Sequence, residues 1–232
     1  MMKRLYLILL ILSAPLATAL AQDGKDQIVF PLNDDFENID TLPQAKKFKS
    51  AHKVGLKYSY ELCNISCTPN VGQKYILSPV NIAASYTYHS ALWDYINIFG
   101  LQMNLKYGRQ GYASPYNGWG ETNEIAEGQF LSQVHLDAGM FSILLNIGPY
   151  YAYRLSTDKA GGFDQYDIRH DYGVFGGGGI ALKFKRFELQ FEGGYKYSLC
   201  SMYHTNKYSD LYWVLAYPKN ISISAGIHYT LW

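Results

Sequence analysis

Three sets of side chains in this chain are of types that do chemistry. The largest is a set of charges, Lys57, Lys106, Arg154, Lys183 and Lys196 with Glu61, Glu188 and Glu192, each flanked by apolar residues or glycine. Charges of both signs carried on one face must pair if that face is buried, because an unpaired buried charge is costly. The chemistry expected of them is a salt-bridge network. A second set, His170 and Asp171 with His204 and Asp210, could form an acid–base cluster if loops brought it together. Such residues in polar loops are usually only solvated, so no catalytic residue is assigned and the chain is read as a non-enzyme. The third set is Cys63, Cys67 and Cys200. Three cysteines are too few for a disulfide scaffold, and a Cys-x3-Cys spacing without further ligands is poor evidence for a metal. A Cys63–Cys67 loop, a bridge from Cys200 to Cys63 or Cys67, and free thiols all stay open. The run Gly176 to Gly179 is followed by a two-residue period and not by a helix, so it lacks the geometry of a phosphate loop. No cofactor and no metal is expected.

The elements that must position these residues are strands. At the C-terminus Ile221, Ile223, Ala225, Ile227, Tyr229 and Leu231 alternate strictly with Ser222, Ser224, Gly226, His228 and Thr230, which places every apolar side chain on one face. The same alternation runs through 54–62, 80–88, 99–107, 130–136, 141–153, 172–184 and 187–199, poorest in the 130–136 segment. With apolar residues outward and charges inward, eight such segments predict an all-β, eight-stranded antiparallel up-and-down transmembrane β-barrel, since a closed barrel is the form in which strands can span lipid. Connections after the odd-numbered strands run to roughly 12–20 residues and the others to only a few, the outer-membrane habit of long outer loops and short periplasmic turns. Run up and down, the chain sorts its outward aromatics into two bands. Tyr58, Tyr60, Tyr107, Tyr151, Tyr153, Tyr172, Tyr195 and Tyr197 fall at the outer ends, and Tyr86, Tyr88, Phe99, Phe141, Phe184, Phe187 and Tyr229 at the periplasmic ends. Closure would make the first and last strands neighbours and bring Cys200 near Cys63 and Cys67.

The N-terminus reads as an export signal: Lys3 and Arg4, an apolar run from Leu5 to Leu12, then Ala19-Leu20-Ala21 before Gln22. Residues 1–21 are taken as a signal peptide, 22–51 as an irregular periplasmic tail and 52–232 as the barrel. Within the tail, Asp40-Thr41-Leu42 resembles a periplasmic O-glycosylation sequon. The 20 basic and 19 acidic residues nearly cancel, which gives no electrostatic case for nucleic acid. The 22 tyrosines suit a wall that meets water at both rims.

Several stretches resemble the PorT-like outer membrane β-barrel family, relatives in architecture of the small OmpA/OmpX-type barrels. They are Leu105-Lys106-Tyr107-Gly108-Arg109-Gln110-Gly111-Tyr112, Gly148-Pro149-Tyr150-Tyr151-Ala152-Tyr153, Asp171-Tyr172-Gly173-Val174-Phe175-Gly176-Gly177-Gly178-Gly179 and Gly226-Ile227-His228-Tyr229. Two departures stand out: the chain ends Tyr229-Thr230-Leu231 where family members commonly end Tyr-x-Phe, and the fourth strand lacks their apolar-acidic-apolar-Pro pattern. The resemblance implies the same barrel in the outer membrane and, through one namesake, an accessory part in protein secretion. From the residues themselves, the expected role is structural or interactive, in contact with outer membrane lipid and with protein partners the sequence does not name. Tyr116, Trp119, Tyr203, Tyr208, Tyr212 and Trp213 form a candidate outer-loop surface. A soluble, lipocalin-like periplasmic barrel is the alternative, and it would need an apolar lumen and a polar exterior.

Overall fold

The computed structural model describes residues 50–69, 74–90, 98–113, 120–207 and 215–231. The expected signal peptide, residues 22–49 of the tail with its sequon, and Trp232 lie outside them, and Ala51, the last residue assigned to the tail, opens the first strand. Nine antiparallel strands follow in chain order: β1 (Ala51–Thr68), β2 (Lys74–Ser78), β3 (Asn81–His89), β4 (Phe99–Ala113), β5 (Gly120–Ala138), β6 (Phe141–Thr157), β7 (His170–Phe184), β8 (Phe187–Ser198) and β9 (Leu215–Thr230). From β3 onward each pairs with the next in the chain, β1 pairs with β2 and β3, and β1 pairs with β9 from Lys53↔Thr230 to Thr68↔Leu215, so the sheet closes on itself. Among the described residues no helix is long and apolar enough to cross a membrane.

Nine strands make eight staves, because one stave is split into β2 and β3. β2 and β3 both lie between β1 and β4, and the interruption falls at Pro79-Val80. Proline has no N–H to give the ladder. Side chains bridge the gap: Tyr58 Oη donates to the Pro79 carbonyl, Ser78 Oγ to the Arg109 carbonyl at 2.6 Å, and Arg109 N donates to Asn81 Oδ1 at 2.7 Å. Gly108 is required here, since a Cβ would overlap the Asn81 carboxamide.

The strands run further than their alternation shows, which corrects the loop lengths. The connections at one end shrink to 69–73 and 114–119, while 158–169 and 199–214 stay long. At the other end 139–140 and 185–186 are tight turns, whereas the β3–β4 connection, 90–98, is longer than expected. The contrast between the two ends therefore rests on the second half of the chain. We call them the loop end and the turn end.

The poorly patterned fourth segment becomes β5, in continuous register with β4 from Phe99↔Val134 to Ala113↔Gly120, with a bulge at Glu124/Ile125 against β6. Its pattern is faint for a physical reason. Ile125 and Leu131 point inward and are fully buried, while Gly128 and Ser132 occupy outward positions.

Candidate functional site

Inside the barrel, strand alternation places a column of charges on β1 and another on β8. Lys53, Lys57 and Glu61 stand four residues apart, as do Glu188, Glu192 and Lys196. Both strands are antiparallel to β9 between them, so they run parallel to each other and equal steps keep the columns level. Three rungs result: Lys53 Nζ–Glu188 Oε2 at 2.5 Å, Lys57 Nζ–Glu192 Oε1 at 2.8 Å, and Lys196 Nζ–Glu61 Oε2 at 3.1 Å, with the polarity reversed at the third. The rungs cross over β9, and at the second its inward residues, Ser224 and Gly226, are small. A Cβ on Gly226 would lie 2.7 Å from Lys57 Cγ.

The third rung widens into a ring. Lys106 on β4 pairs with Glu61, and with Glu127 on β5 at 2.9 Å; Lys196 pairs with the same Glu127 at 2.7 Å. Two ammonium and two carboxylate groups thus alternate around the lumen, each at most 7% exposed. Amides extend the ring: Gln129 Nε2 donates to Glu127 Oε1 at 2.6 Å and Asn104 Nδ2 to Gln129 Oε1 at 2.9 Å. The void beside it, lined by Lys57, Glu61, Asn104 and Lys106 among others, measures about 40 Å³, room for a few water molecules and for no ordinary solute.

Two of the charges expected in this network sit elsewhere. Lys183 is at the turn-end rim, partly exposed, where it pairs with Asp137 at 2.5 Å. Arg154 is 1% exposed but reaches backbone instead of a carboxylate: Nη1 donates to the carbonyls of Ile168 and Met202. Glu127 and Lys53 complete the network without having been singled out from the sequence. Extending the phase of Phe130, Val134 and Leu136 backward along β5 would have placed Glu127 inward.

The loop end is capped. Segments 158–169 and 199–207 pair through Asp167↔Tyr203, Ile168 N–Met202 O at 2.9 Å and His204 N–Tyr166 O at 2.9 Å. Below them Ile65, Tyr112, Met202, Tyr203 and Ala216 pack into a buried cluster. Tyr112 and Tyr203 both donate to Glu121 Oε2, at 3.0 and 2.8 Å. Tyr203, 3% exposed, therefore does not belong to an exposed recognition surface: its hydroxyl is drawn inward to satisfy a buried carboxylate. Tyr116, Trp119, Tyr208, Tyr212 and Trp213 lie outside the described residues. On the cap, Lys159 reaches Asp164 at 2.8 Å and Asp167 at 3.4 Å, and Lys207 pairs with both aspartates.

The acid–base cluster is not assembled. His170 and Asp171 are consecutive in β7 and so point to opposite faces. His170 Nδ1 bonds Tyr151 Oη at 2.5 Å on the outside, while Asp171 is buried and accepts from Ser198 Oγ at 2.5 Å and Tyr150 Oη at 3.3 Å. His204 is exposed, and Asp210 lies outside the described residues. The thiols form neither bridge considered: Cys63 Sγ lies 3.9 Å from the Glu61 carbonyl and Cys200 Sγ 3.5 Å from that of Ser201. Among the described residues no group of three or more His, Cys, Asp or Glu is arranged to hold a metal ion.

The exterior is the reverse of the lumen. Leu56, Leu105, Ile147 and Ile223 are 62–70% exposed and lie midway along their strands. No protein-family model matches this sequence, and no curated protein matches it. The chain is similar to Neisserial surface protein A. The match to NspA has a TM-score of 0.52 and 15% identity, and covers 78% of this chain and 99% of that one. Ail, the attachment invasion locus protein of Yersinia pestis, aligns more loosely, with a TM-score of 0.43 and 13% identity over 78% of this chain and 97% of Ail. The likeness to NspA is one of fold, that of an eight-stranded outer membrane barrel.

Proposed function

We propose that this chain is an outer membrane β-barrel protein whose lumen is closed by its own side chains and whose work is done at its surfaces, by outer loops or by the periplasmic tail. The observation that carries this reading is the inversion of polarity: a ring of four charges inside, and an aliphatic belt outside. Water would solvate that interior and reject that exterior, whereas hydrocarbon asks for both. Exposed aromatics bound the belt. Tyr58, Tyr107, Tyr151, Tyr172 and Tyr197 stand toward the loop end, and Phe99, Phe141, Phe184 and Phe187 toward the turn end, positions suited to the two lipid–water interfaces. A lipocalin-like soluble barrel would need the opposite distribution. The loop end then faces outward and the tight turns face the periplasm. The PorT-like resemblance agrees with this reading, since its glycines Gly108, Gly148, Gly173 and Gly179 lie where a neighbouring strand leaves no room for a Cβ.

In this reading lipid surrounds the wall, no catalytic residue is assigned, and protein partners meet the loop end or the tail. Planar-bilayer recording tests the closed lumen. The purified, refolded protein should insert without large, stable conductance steps, because the charge ring leaves no continuous aqueous path. Reproducible large steps from the wild-type barrel would refute the closed-lumen reading.

A further inference from the structure

The turn end of the lumen holds a pair of side chains that the charge ladder does not use. His89 on β3 and His135 on β5 reach toward each other across β4 and are 2% and 3% exposed. Their Nδ1 atoms share a hydrogen bond at 2.9 Å, with ring planes at 85° and centroids separated by 4.1 Å. Gly100 on β4 makes the approach possible, since a Cβ there would lie 3.2 Å from His89 Nδ1. Both rings line a cavity of about 190 Å³ at the turn end, with Lys53, Asp137, Lys183, Lys185 and Glu188. His89 Nε2 is buried without a hydrogen-bond partner among the described residues.

One Nδ1 must donate in this hydrogen bond; with its proton moved to the Nε2 of the same ring, both imidazoles offer an Nδ1 lone pair to a shared ion. Metal–imidazole bonds of about 2.0–2.1 Å spanning that 2.9 Å chord subtend about 90° at the ion, the cis angle of a tetragonal site and too narrow for tetrahedral zinc. We propose that His89 and His135 chelate a divalent transition-metal ion through their Nδ1 atoms, copper(II) or nickel(II) in preference to zinc. Water or a small anion in the cavity completes the coordination. Of the three lysines lining the cavity, Lys53 and Lys183 are each paired with a carboxylate, Glu188 and Asp137, and Lys185 is exposed, so that water screens its charge from the ion. Asp137 Oδ2 also stands 3.9 Å from His135 Nε2, beyond hydrogen-bond reach, where its negative charge offsets part of the ion's. The cavity gives the ion a path from the periplasmic side.

The test uses the mature chain refolded in detergent, free of any polyhistidine tag, titrated calorimetrically with copper(II), nickel(II) and zinc(II) chlorides. Electron paramagnetic resonance of the copper adduct counts the bound nitrogens. One copper(II) per chain is expected, bound at least about tenfold tighter than zinc(II), with hyperfine structure from two nitrogens. His89→Gln and His135→Gln should each weaken binding by at least about tenfold. His228→Gln should leave it unchanged, since that lumen histidine is engaged with Ser85 at 2.7 Å. The nitrogen count is read on the wild-type protein, so it stands even if a variant folds poorly. No saturable copper binding, binding undiminished in the doubly substituted protein, or a single-nitrogen spectrum would overturn the assignment.

Discussion

At the scale of the residue, Lys196 carries the greatest electrostatic burden. Its ammonium group is shared between Glu61 and Glu127, and the only other cation on those carboxylates within ion-pair distance, among the described residues, is Lys106. Removing it leaves two buried carboxylates on one lysine. Lys196→Ala should cost about 3–5 kcal/mol, the usual penalty for breaking a buried pair. Lys196→Met with Glu127→Gln should recover most of that loss, because both partners then go neutral together. Urea titration of the refolded barrel, followed by tryptophan fluorescence, measures both; a single substitution costing under about 1 kcal/mol would show that the pair is solvated and surface-like. The charges themselves were legible in the sequence from their apolar flanks. Their partners were legible only once topology was known, because the rule that aligns β1 with β8 depends on the strand between them. Arg154 shows the limit of reading by charge: its binding sites are backbone carbonyls of a cap that no periodicity announces.

At the scale of the element, strands were readable and the cap was not. A period of two is a property of the chain alone, so seven segments declared themselves, and the fourth was blurred because Ile125 and Leu131 turn inward while Gly128 and Ser132 turn outward. The break at Pro79 and the lengthening of β4 and β5 depend on cross-strand partners, which alternation does not reveal. Segment 158–169 has no period at all and is held instead by polar contacts. Asp164 accepts a hydrogen bond from Lys159 and, through a second, from the Tyr166 amide at 2.8 Å, and these hold its carboxyl down at about 2. A depressed carboxyl contributes order that is fully present above its unfolded value near 3.9 and is lost as pH falls through the folded one. The cap should therefore stay ordered from neutral pH down to about pH 4 and loosen progressively toward pH 2, with the barrel wall intact. Carboxyl carbon NMR should place Asp164 near 2, and Lys159→Ala should return it toward 3.9. An Asp164 that titrates in the ordinary range in the wild-type protein would remove this brace from the account.

At the scale of the whole molecule, the sidedness of the wall decides between lipid and water. The charge ladder and the aliphatic belt are two faces of one alternation, so a one-residue slip in register would exchange them everywhere at once. That coupling is why the architecture was legible in the sequence while the role of the loops was not: Tyr203, in the same aromatic loop as Tyr208, Tyr212 and Trp213, bonds a buried glutamate. The sidedness is open to direct test at Leu105 and Ile223, 70% and 63% exposed near the middle of the belt. Were the wall bathed in water, a lysine at either site would change stability by no more than about 0.5 kcal/mol, as at ordinary surfaces. In a bilayer the same lysine must carry its charge into hydrocarbon, and each substitution should cost about 2–4 kcal/mol at the midplane, falling toward zero near the interfaces. Leu189→Lys, on the outward face of the neighbouring strand β8 near the turn end, should cost less than Ile223→Lys. Reversible folding into lipid vesicles across a denaturant series gives all three values, and three near-zero costs would mean that the belt does not face lipid.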